Sequence, residues 1–125
     1  MHKLPSAQEV FDIVVNHLVT QRRPAYNDIR NCVYRAPDGL RCAVGVLIPD
    51  DLYDPEFEGV GVDSLIRELF NEDLADWRDH RKLLLALQHV HDKCLTISRR
   101  GTFNITDLRR RLLNVAVEFS LEYRR

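Results

Sequence analysis

The segment from Arg41 to Gly61 reads Arg-Cys-Ala-Val-Gly-Val-Leu-Ile-Pro-Asp-Asp-Leu-Tyr-Asp-Pro-Glu-Phe-Glu-Gly-Val-Gly, and the rest of the chain is organised around it. It opens apolar and small and closes acidic and turn-rich. A fold that accepts it wedges the first half into the interior and leaves the second half standing outward. Cys42 to Ile48 reads either as the end of a strand or as one buried turn of helix, and Pro49 ends it. Asp50 is placed to cap a short turn over 50–55. Gly59 and Gly61 allow a sharp turn or a close backbone approach in the loop 56–61.

Just before this segment, Pro37-Asp38-Gly39 is a turn signal, because proline presets the first turn position and glycine takes a positive φ. Val33 and Tyr34 favour extended chain. The expectation is a short β-hairpin, 32–35 with 40–43. A three-residue loop pairs Ala36 with Leu40 and sets Tyr34 opposite Cys42, whereas a two-residue loop puts Cys32 and Cys42 on opposite faces.

Four helices are expected around it. Ser6-Ala7-Gln8-Glu9 is a capping box, followed by Ala7, Val10, Phe11, Val14 and Leu18 on one face, which predicts a helix over 7–22 stopped by Pro24. His17 lies at the edge of that stripe. A second, short helix is expected near 64–70, capped by Asp63. A third runs near 75–95, capped by Asp73 or Asp76, with Trp77, His80, Leu83, Leu84, Leu87, Val90, His91 and Cys94 inward. The fourth begins after Asn104, buries Ile105, Leu108, Leu112, Val115, Ala116 and Phe119, and ends near Glu122, with Tyr123 onward fraying. The expected fold is α+β and mostly α: about four helices around one short β-hairpin, in a single domain over 1–125.

The chain is 45% hydrophobic with a net charge of −1, which argues against disorder. That small net value hides a division. Residues 50–79 carry eleven carboxylates against two arginines, a net of −9; residues 93–125 carry eight cations against three carboxylates, a net of +5. Such a division steers a charged partner, or lets the two regions face each other within one chain or between copies of a homo-oligomer. No apolar leader opens the chain and no apolar run reaches membrane-spanning length, so the expected location is the cytoplasm, with no membrane association. In a reducing compartment Cys32, Cys42 and Cys94 are expected as thiols.

Cys42-Ala43-Val44-Gly45, Leu47-Ile48-Pro49-Asp50, Tyr53-Asp54-Pro55 and Glu58-Gly59, with Leu87-Gln88 and His91-Asp92 later, resemble a family of uncharacterised short proteins of phages and bacterial genomes. The resemblance covers about 30–95. It implies a genomic setting in a bacterial host and no chemistry, and it transfers no functional residue.

The residues offer several candidate chemistries. Cys32, Cys42, His91 and Cys94 supply zinc-type ligands, but the Cys-x9-Cys spacing matches no common structural zinc pattern. The alternative is buried thiols and a hydrogen-bonded core histidine. Asp50, Asp51, Asp54, Glu56 and Glu58 are hard oxygen donors without calcium-loop spacing. Cys42 or Cys94 with His80 or His91 would make a nucleophile–base pair, but no hydrolase signature surrounds either cysteine. Asp92 is expected to point away from His91, one position along the same helix. Arg99, Arg100, Arg109, Arg110 and Arg111 suit phosphate. The long connection at 95–104 argues against a helix-turn-helix and against nucleic acid as the partner.

The reading that follows is a non-enzymatic accessory protein of a phage or mobile element, without cofactor or metal. It is expected to bind a host protein stoichiometrically, for instance one that limits phage growth, through Asp50, Asp51, Tyr53, Asp54, Glu56 and Glu58. Two alternatives stand beside it. One is a protein that sequesters a nucleotide signal, using the arginines at 99–111 for phosphate and an aromatic for the base. The other is a small zinc or thiol enzyme built on Cys42 and His91.

Overall fold

Ser6 starts the first helix as the sequence expects: its hydroxyl accepts from the Glu9 amide and donates to the Glu9 carboxylate. The computed structural model describes residues 6–26, 33–69, 77–93 and 102–123. Helix α1 spans Ala7–Gln21 and ends where Arg22 turns left-handed at φ 58°, its amide bonding back to Leu18. Helix α2 covers Val62–Ser64 and continues as a π-helical turn over Leu65–Leu69. Helix α3 spans Arg81–Lys93 and α4 spans Ile105–Glu118, the latter capped by Asn104 through the Asp107 amide at 3.0 Å. Helices α1, α3 and α4 pack on one another, and α2 packs on α3.

The apolar stripes converge as periodicity requires. Phe11 and Leu18 of α1, Leu84 and Leu87 of α3, and Leu108 and Leu112 of α4 are fully buried, together with Ile48, Leu65, Ile66 and Trp77. Each such side chain contributes about 1.5–3 kcal/mol on leaving water. This burial, and not helix propensity, holds the four helices.

Helix α3 begins at Arg81 and not near 75, α4 ends at Glu118 and not near Glu122, and two further helix ends differ from expectation in their bonding. Asp63 does not cap α2: Gly61 stands at the cap without a side-chain bond, and Asp63 pairs with Arg81 and Arg67 instead. A cap needs its carboxylate turned back over the first amides, and the two guanidiniums hold this one away. The C-terminal segment does not fray at Tyr123. Gln8 Nε2 donates to the Glu122 carbonyl and the Glu122 amide donates to Gln8 Oε1, both at 2.8 Å, and Tyr123 packs edge-on to Phe11. The expected caps Asp73 and Asp76 lie outside the described residues, as do Cys32 and Cys94.

The expected β-hairpin does not form, and the fold is helical, with no strand among the described residues. Among the described residues the ladder is reduced to one isolated bridge, Arg35 with Arg41. The turn itself has the three-residue register: the Ala36 amide bonds the Leu40 carbonyl at 2.8 Å, and Gly39 takes φ 87°. One further ladder bond forms, the Cys42 amide to the Tyr34 carbonyl at 3.3 Å, and the ladder stops there because Glu58 takes the Tyr34 amide and the Val46 amide takes the Cys42 carbonyl. Glu58 accepts from the Tyr34 and Arg35 amides, Gln21 accepts from the Arg41 amide, and His17 and Gln21 both donate to the Arg41 carbonyl. Val44 then turns into a 3-10 turn over Gly45–Leu47, which settles the strand-or-helix alternative for 42–48 in favour of helix.

Gly45 makes this turn possible. A Cβ there would sit 2.0 Å from the Tyr34 carbonyl oxygen, which is backbone and cannot swing aside. Gly45→Ala is expected to cost about 3 kcal/mol or more, read as a lower urea midpoint with an unchanged slope. His17 gives a second expectation. Its ring is half-buried, and burial pushes its pKa below the ordinary 6.5, against the opposing pull of the Arg41 carbonyl. The unfolded chain therefore takes the proton first, so the histidine's contribution is complete above about 6.5 and is lost as pH falls through the lowered value. His17→Gln keeps a donor for Arg41. The wild type is expected to lose more melting temperature than this variant between about pH 7.5 and about pH 5.

Candidate functional site

The acidic loop is built on one inward carboxylate. Glu58 closes a turn begun by Asp54, whose side chain accepts from the Glu56 amide and caps a 3-10 turn over Pro55–Phe57. Gly59 at φ 83° then reverses the chain. This brings Glu58 under the 33–35 segment, where Oε1 takes the Tyr34 amide at 2.8 Å and Oε2 takes the Arg35 amide at 3.1 Å. Tyr53 donates its hydroxyl to the same Oε2. Burial, and then the bond to Glu58, push the Tyr53 phenol up to about 12.

Arg35 locks the other end of the loop. Its guanidinium donates to the Ile48 carbonyl at 2.8 Å, pairs with Asp50 at 2.8 Å and lies 4.4 Å over the Tyr53 ring. Its Nε is buried with no hydrogen-bond partner among the described residues, a cost that the tyrosine π face partly offsets. Arg41 adds a second, longer contact to Asp50 at 3.3 Å.

The six loop residues singled out from the sequence therefore divide. Asp50, Asp51, Asp54 and Glu56 are exposed; Tyr53 and Glu58 are half-buried and brace the loop from within. Asp50 is exposed yet shares its charge with two guanidiniums. Arg35 was not among the sequence candidates. Its one signal was its place beside the Pro-Asp-Gly turn, which points to no role without the tertiary partner.

Behind the loop lies a polar relay centred on the buried His91. The Ala25 amide donates to His91 Nε2 at 3.0 Å, so that nitrogen holds no proton and the imidazole is the Nδ1–H tautomer. His91 Nδ1 donates to Asp92 Oδ1 at 2.9 Å, Gln88 Nε2 donates to the same oxygen, and Gln88 Oε1 accepts from the Val44 amide. The expectation that Asp92 points away from His91 is thus overturned. The Asp92 carboxylate turns back across the helix surface, held by Gln88 four residues earlier. Spacing of this kind on a helix is a readable polar pair.

This arrangement leaves His91 no nitrogen for a metal or for a thiol. Cys42 is buried and its sulfur accepts from the Gly45 amide. Burial pushes the Cys42 thiol up to about 12, far from the thiolate a nucleophile needs. Among the described residues, no group of three or more His, Cys, Asp and Glu side chains is placed to hold a metal ion. A cleft of about 250 Å³ lies between the loop and α3, against Tyr34, Cys42, Glu58, Val60, Gln88 and Asp92. Its polar lining is engaged internally, with Tyr34 donating to the Val60 carbonyl at 2.6 Å.

The basic candidates fall elsewhere. Arg109 and Arg110 are exposed on α4, Arg111 is half-buried, and Arg110 and Arg111 share Asp107. Arg99 and Arg100 lie outside the described residues. Among the described residues no helix is long and apolar enough to cross a membrane. No known protein family, curated protein or solved structure matches the chain.

If Glu58 is the brace, removing its charge must loosen the loop. Glu58→Gln turns one acceptor into a donor facing a backbone amide. The expected loss is about 2–3 kcal/mol, with faster amide exchange at Tyr34 and Arg35 in the native state.

Proposed function

We propose that this chain acts by stoichiometric binding, offering the loop 50–58 to a basic surface on a host protein. The observation that carries the reading is the set of exposed carboxylates at Asp51, Asp54 and Glu56 on a loop already tied down by Glu58, Arg35 and Tyr53. A loop ordered before contact spares the complex about 0.5–1.5 kcal/mol for each side chain it need not immobilise. Charge opposite charge then sets encounter rate and partner choice. The resemblance to short phage and bacterial proteins supports a bacterial host protein as the target, one that limits phage growth being the natural case. The protonated state of Cys42 and the engaged nitrogens of His91 favour binding over thiol or zinc catalysis.

The test is capture from a bacterial host extract by the wild type and by the Asp51→Lys, Glu56→Lys double variant. Both positions are exposed, and the melting temperatures of the two proteins, measured alongside, establish that both are folded. The wild type is expected to retain a defined partner whose recovery falls with added salt. The double variant is expected to lose it. A partner held equally by both proteins, or recovery indifferent to salt, refutes the acidic loop as the docking surface.

A further inference from the structure

We infer that the groove along the first half of α4 binds a mononucleotide, its phosphate on Arg109 and Arg110 and its base against Leu113 and the Tyr123 ring. The groove measures about 430 Å³ and is lined by these four residues and Thr106. That volume falls within the roughly 300–1,000 Å³ of small-molecule sites.

Its lining has two chemically distinct parts. The cationic part is Arg109 and Arg110, both exposed on α4. Asp107 engages Arg110 and Arg111, while Arg109 has no ion-pair partner among the described residues. Guanidinium forks suit phosphate oxygens. The Thr106 hydroxyl, one helical turn earlier on the same side, adds a neutral donor.

The other part is apolar and ordered. Leu113 is 48% exposed and presents an apolar side chain to the groove. Tyr123 stands beside it at a fixed place, because the Gln8–Glu122 amide pair holds the backbone and Phe11 holds the ring edge-on. A planar base gains from such an aromatic wall without needing a base-specific bond. A ligand with a phosphate at one end and a flat heterocycle at the other satisfies both parts, whereas inorganic phosphate or an apolar molecule satisfies one.

The size of the groove, about 430 Å³, suits one nucleotide and not a strand. The site shares no residue with the acidic loop, so its failure and the failure of the loop reading are separate results.

Calorimetric titration of the full chain with adenosine, guanosine, cytidine and uridine monophosphates tests it, beside adenosine, inorganic phosphate and a single-stranded oligonucleotide. At least one monophosphate is expected to bind more tightly than its phosphate-free nucleoside and than inorganic phosphate. Arg109→Ala, at an exposed position, should weaken that binding about tenfold. Leu113→Glu, which sets a carboxylate in the groove, should abolish it, and Tyr123→Leu should narrow the preference for the nucleotide over inorganic phosphate. The inference is overturned if none of the monophosphates binds, if inorganic phosphate binds as well as any of them, if Arg109→Ala binds unchanged, or if the oligonucleotide binds more tightly than the mononucleotide.

Discussion

The Ala25 amide is buried beyond the end of α1 with no helix or strand to join, and the imidazole of His91 takes it. The rest of the central segment meets the same constraint. An irregular stretch of backbone runs through the middle of a helical protein, and each buried amide left unpaired costs about 1–3 kcal/mol. A few such losses would consume a typical total stability of about 5–15 kcal/mol. The chain meets the constraint with side chains: His17 and Gln21 from α1, Gln88 and His91 from α3, and Glu58 from the loop itself. These residues stand in for the sheet that the segment lacks.

The same economy explains the shape of the acidic loop. Glu58 serves the interior, and its inward turn draws Tyr53 and Arg35 into one cluster. Arg35 then anchors Asp50. The carboxylates left outside are displayed on a frame that cannot easily collapse. Backbone satisfaction and loop shape thus meet in one residue, because the group that satisfies the backbone of 34–35 also sets where Asp51, Asp54 and Glu56 stand.

Cys42 illustrates how burial decides chemistry. Sequence alone leaves it open as nucleophile, metal ligand or small hydrophobe. Against Tyr34, Gln88 and Asp92, in a site that disfavours charge, it is a small hydrophobe whose sulfur accepts one backbone amide. The nearby histidine, which could have activated it, spends both nitrogens on the fold.

The helices were legible from residue order, because apolar spacing, the Ser6 and Asn104 caps and the glycine turn at 39 act within a few residues of themselves. The burial of the Cys-Ala-Val-Gly segment was legible for the same reason: small apolar residues with no polar side chain have nowhere else to go. What tertiary structure alone decided was the fate of the polar groups. Val33 and Tyr34 have strand-favouring side chains, yet a glutamate more than twenty residues away outcompetes a second strand for their neighbours' amides. Neighbouring His91 and Asp92 diverge on a helical wheel, yet the Asp92 carboxylate, held by Gln88, turns back to accept from His91. Hydrogen-bond partners are chosen by proximity in space, and the sequence encodes that proximity only through the packing of the whole.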